Sequence, residues 1–116
     1  VMLGVTEPNG FRVSSYPGDT NYIGCSYYAS SGDLYRSGSN ETWGASCSYG
    51  DKIGALVKLN KESNMATIAF YKNGKLLNKE TNLKSYMNVD KGVVFVVSVY
   101  SANEHVQLVK NPVPPQ

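Results

Sequence analysis

Asn73-Gly74 stands between Met65–Lys72, a run rich in β-branched and aromatic residues, and Lys75-Leu76-Leu77. Asn-Gly is the strongest short hairpin signal, because a two-residue type I′ turn needs positive φ at both central positions. Asn tolerates that conformation and Gly has no Cβ to oppose it. The pair therefore commits the middle of the chain to antiparallel β-structure. Downstream stands Val93-Val94-Phe95-Val96-Val97-Ser98-Val99-Tyr100. So apolar and β-branched a run is expected to lie centrally in a sheet, covered on both faces, with Phe95 in the core.

The remaining segments read the same way. Strands are expected at Met2–Val5, Tyr22–Tyr27, Leu34–Arg36, Ile53–Leu59 and His105–Val109, separated by loops at Ser14–Asn21 and at 37–49. Tyr27 and Tyr28 are adjacent, so one ring enters the core and the other points away. No segment has a helical period, and residues 79–88 hold one helical turn at most. Short strands with frequent turn signals indicate an all-β sandwich or barrel. Met2–Val5 is apolar with nothing before it. It is expected to be an uncovered sheet edge of an N-terminally incomplete domain, an invitation to self-association. Residues 1–110 form the expected domain, and 111–116 a proline-rich extended tail.

With 116 residues the chain is one domain, long enough to bury a core without disulfide or metal staples. A formal charge of +2 is too small to argue for nucleic acid or a membrane surface, and neither is expected as a partner. The charge is uneven: residues 1–50 carry two arginines against four acids, and the remainder nine lysines against five acids. Those lysines are scattered along strands and suit a solvated face. The 9 tyrosines favour strand faces and binding surfaces, since each buries a ring and keeps a polar tip.

Catalytic chemistry finds no foothold. His105 is the one histidine, beside Glu104 at a turn, and triads and common zinc sites need an imidazole with an oriented partner. Asp51 suits a turn, accepting backbone hydrogen bonds. Cys25 and Cys47 fit neither zinc spacing nor a redox pair; two unpaired thiols are expected, Cys25 in the core. No phosphate-binding loop is present. The expectation is a non-enzyme with no catalytic residues, metal or cofactor.

Several segments taken in order resemble the SPRY domain, the core of the B30.2 family. They are Tyr22–Tyr27, Gly32-Asp33-Leu34-Tyr35-Arg36, Gly50-Asp51-Lys52-Ile53-Gly54, Phe70-Tyr71-Lys72-Asn73-Gly74, Val96-Val97-Ser98-Val99-Tyr100 and Val106-Gln107-Leu108. Their order and spacing together, rather than any one of them, carry the resemblance. The resemblance implies a bent, concanavalin-like sandwich of two antiparallel sheets that recognises a protein or peptide through loops at one end. Carried over by position, it implies a pocket of Tyr35, Val99, Tyr100 and Ser101. Arg12 is the basic residue nearest the place of the family's Arg-rich loop. It further implies an interaction module, a substrate-recruiting part of a larger cytoplasmic or nuclear protein. A carbohydrate-binding module is the alternative, since similar sandwiches serve as lectins and Tyr or Trp stack on sugars.

Overall fold

Turn chemistry sets the strand pairs. In a computed structural model, which describes residues 1–99 together with Val106 and Gln107, Asn73 and Gly74 take φ of 51° and 82°. They close a hairpin between β6 (Met65–Lys72) and β7 (Lys75–Asn82). β5 (Ile53–Asn60) pairs with the other side of β6, giving a three-stranded sheet in the order β5-β6-β7. The β6–β7 register slips between Ile68 and Phe70, where Asn78 takes φ of 65°.

The second sheet has five strands. They are β1 (Met2–Thr6), β2 (Cys25–Tyr28), β3 (Asp33–Arg36), β4 (Ser39–Thr42) and β8 (Val94–Ser98), in the order β4-β3-β2-β1-β8. Every neighbouring pair in both sheets is antiparallel. Among the described residues, a 3-10 turn at Leu83–Ser85 completes the elements. It is capped by the Asn82 side chain, which accepts from the Lys84 N–H at 3.1 Å. The expected all-β, two-sheet architecture is the one observed.

Alternation along each strand builds the core. Val5, Cys25, Tyr27 and Leu34 project from the five-stranded sheet toward Ile68, Phe70 and Leu77 of the other. The Tyr27 and Phe70 rings stack at 5.8 Å. Tyr27 is fully buried while Tyr28, one residue on, is half-buried on the opposite face. The Tyr27 hydroxyl donates to the Ala45 carbonyl and lies 3.6 Å from Cys47 Sγ. Cys25 is buried, Cys47 half-buried, and both are free thiols.

Five expectations need correction. β1 is no edge: β2 and β8 flank it on both sides. Among the described residues the apolar run expected at Val93–Tyr100 does not lie centrally: β8 ends its sheet, with Phe95 and Val97 53% and 49% exposed. Hydrophobicity reports how much surface a strand should bury, not which neighbours it acquires. β4 forms within the expected loop at 37–49, because Ser37 and Gly38 take φ of 51° and 76° and make a second tight hairpin. The strand expected at Tyr22 begins at Cys25, since Tyr22–Gly24 belong to the preceding loop. Of the strand expected at His105–Val109, Val106 and Gln107 lie outside any strand, and the other positions fall outside the described residues.

Candidate functional site

Residues opposite one another in an antiparallel ladder share a face. On the face turned away from the core, one row runs Asp33, Tyr28, Met2, Ser98 and the next Asn40, Tyr35, Ser26, Gly4, Val96. The loop from Glu7 to Gly24 lies across this face. Three hydroxyls of the sheet hold it by donating to loop carbonyls. Thr6 Oγ1 reaches Ile23 O at 2.7 Å, Ser26 Oγ reaches Pro17 O at 2.6 Å, and Ser98 Oγ reaches Ser15 O at 3.3 Å. Thr6 and Ser26 are fully buried. Within the loop, Gly18 N–H donates to Tyr22 O, and Gly38 N–H in the β3–β4 turn donates to Gly18 O, both at 2.9 Å.

The pinned loop shows an unusual surface. Phe11, Val13 and Ile23 are 57%, 79% and 50% exposed. Arg12 sits between the first two, its Nη1 donating to Asn21 O at 2.7 Å and its guanidinium 6.0 Å from the Tyr22 ring centroid. Tyr22 is buried, and its hydroxyl accepts from the Arg12 N–H at 3.0 Å. Beside it lies an open depression of about 370 Å³, lined by Asp19, Asn21, Tyr22, Ile23, Ser37 and Tyr86 among others. Arg36, paired with Glu41, stands over the Tyr86 ring at 5.5 Å.

Farther along the same face, three half-buried tyrosines meet. The Tyr35 ring packs edge-on against Tyr16 at 5.2 Å and Tyr28 at 6.2 Å. Burial, with Asp19 close by, pushes the Tyr16 hydroxyl's pKa above its ordinary value. Asn40 Nδ2 donates to Asp33 Oδ2 at 3.0 Å beside this cluster.

The described residues include part of the site expected from sequence. Tyr35 joins Tyr16 and Tyr28 rather than Val99. Three strand steps separate β3 from β8, a distance of about 14 Å at the usual strand spacing. Adjacent residues of one loop bridge the gap, Ser15 bonding Ser98 and Tyr16 packing on Tyr35. Val99 is 46% exposed. Tyr100 and Ser101 lie outside the described residues. Arg12 borders the depression through Asn21 and Tyr22. Phe11, Val13 and Ile23 were not identified from sequence, because nothing local marks a loop apolar residue as one that stays in water.

Asp51, read as a turn acceptor, is one. It accepts from the Ser48 N–H at 2.7 Å and from Asn73 Nδ2 at 3.0 Å, with Lys72 Nζ at 3.7 Å. These donors, the Ser48 amide first, hold its carboxyl below the usual carboxylate range. Asn73 Oδ1 in turn accepts from the Lys52 N–H at 2.9 Å. The Gly-Asp-x-Ile-Gly segment and the Asn-Gly hairpin are therefore stitched together as one structural unit. Among the described residues, no three His, Cys, Asp or Glu side chains gather as a metal-binding group. Comparison with protein-family models, with curated proteins and with solved structures finds no match.

Proposed function

We propose that this chain is a non-enzymatic recognition module, SPRY-like in architecture, that binds a protein or peptide segment across the Glu7–Gly24 loop. One observation carries the reading: a loop pinned by three hydroxyls yet presenting Phe11, Val13 and Ile23 to solvent. Exposed apolar side chains on a rigid support are the usual make-up of an interaction surface. Because the loop is held in place, little ordering entropy opposes binding. Arg12 supplies a cation beside the apolar anchors, and the adjacent depression accepts a side chain of the bound segment. Tyr35 backs the loop through its edge-on contact with Tyr16. The ligand is a segment with an apolar anchor, read within a larger cytoplasmic or nuclear protein.

A peptide-display selection and a glycan array, both run on the intact chain, test this. Selected peptides should lose about tenfold or more in affinity to Phe11→Ala and to Val13→Ser, with thermal melts unchanged because both side chains are exposed. Tyr35→Ala should weaken the same binding by about thirtyfold. Binding of glycans but not peptides would replace this reading with the lectin-like one. Selected peptides indifferent to all three substitutions would place the site elsewhere.

A further inference from the structure

We propose that β8 is the edge at which two copies of this chain join, strand to antiparallel strand about a two-fold axis at Val96. Among the described residues, β8 has β1 as its strand partner and ends the five-stranded sheet. Its outward backbone groups are a template for another strand. The three-stranded sheet does not reach beneath it, since β5, the edge of that sheet, lies against β1. Phe95 and Val97 stand on the core-facing side of β8, opposite Val5 and Leu3, yet are about half exposed. Among the described residues, an apolar strip that continues the core thus ends along an edge with no further strand.

A second copy fits this edge for reasons within the strand itself. Gly92–Ser98 carries no charged side chain, so none of the charges that ordinarily guard an edge opposes pairing. The run Val94-Phe95-Val96-Val97-Ser98 is close to self-complementary. A two-fold axis at Val96 sets Phe95 of one copy against Val97 of the other, on the uncovered face, twice over. Aromatic and β-branched pairs are favourable across antiparallel strands. The nearest charges, Asp90 and Lys91, precede the strand, and antiparallel docking carries the two sets to opposite ends of the ribbon. The contact is isologous, so assembly closes at the dimer.

Sedimentation equilibrium of the full chain over a wide concentration range tests the proposal, with amide hydrogen exchange on β8. Reversible monomer–dimer behaviour is expected, with protection of β8 amides rising as the dimer fills. Phe95→Lys and Val97→Lys should each weaken dimerisation by at least about tenfold while leaving the circular dichroism unchanged. Val97→Thr keeps the branched shape and serves if the lysine variants misfold; it should weaken the dimer by about threefold or more. A monomer at every concentration overturns the proposal, as do dimers insensitive to these substitutions or growth beyond the dimer. So does β8 protection that is independent of concentration, the mark of an edge covered by this chain's own residues.

Discussion

Ser26→Ala probes how the loop is held. Ser26 is fully buried, and its hydroxyl donates at 2.6 Å to the carbonyl of Pro17, itself among the fully buried residues. Removing the hydroxyl leaves that carbonyl without this donor in a site closed to water. An orphaned buried acceptor costs about 1–3 kcal/mol, more than the net worth of the bond, because its desolvation is no longer offset. A loss of about 1.5 kcal/mol is expected. With an unfolding entropy of about 2.1 cal/mol/K per residue, that lowers Tm by about 6 °C in a chain of 116 residues. Urea titration should show a lower midpoint with an unchanged slope. Amide exchange should quicken at Gly18 and Gly38, whose N–H groups bond along the same segment. A change below about 0.5 kcal/mol with exchange at both amides unaltered would refute the idea that this hydroxyl pins the loop.

Other substitutions separate core from edge and strain from packing. Phe70→Ala, which empties a fully buried site stacked on Tyr27, should cost about 3–5 kcal/mol; Phe95→Ala, at a half-exposed site, should cost about 1 kcal/mol in dilute urea titrations. Gly74→Val should cost about 1–3 kcal/mol by the same assay. Open space surrounds a Cβ at Gly74, so Gly74→Asn, which tolerates positive φ, should recover most of that loss. Burial pushes the Cys25 thiol up to about 12. The unfolded thiol ionises near pH 8.5 while the folded one keeps its proton, so this stabilisation is whole at neutral pH and is lost as pH rises from there toward about 12. Unfolding measured at pH 7 and pH 10 should show the decline, and Cys25→Ala should flatten it. In the native state a thiol reagent should label Cys47 promptly and Cys25 only on unfolding; equal rates would contradict the burial argument.

What could be read from the chain was what local chemistry dictates. Asn73-Gly74 demanded a type I′ turn, and the hairpin is there. Adjacent Tyr27 and Tyr28 had to face opposite ways, and they do. Asp51 suited a turn, and it caps one. Ser37-Gly38 makes the same kind of turn, but Ser is a weaker signal for positive φ than Asn, so β4 went unseen. The aromatic cluster is half legible: the resemblance points to Tyr35, while its contact Tyr16 comes from a loop whose path depends on Thr6, Ser26 and Ser98.

Strand placement shows where sequence reasoning stops. Met2–Val5 and Val93–Tyr100 are both apolar runs, and the second is the longer and more β-branched. By composition the second belonged in the middle and the first at the rim. Among the described residues the order is reversed, with β1 between β2 and β8 and β8 at the end. Periodicity and propensity act between residues a few positions apart, so turns, face alternation and the β character of each segment follow from the sequence itself. Sheet order, the loop laid over an outer face, and which apolar side chains stay in water depend on contacts between distant segments, Ser15 with Ser98 and Glu7 with Asn88 among them. Those contacts exist once the chain has closed on itself, and they decide the path of the Glu7–Gly24 loop and, among the described residues, the order of the strands.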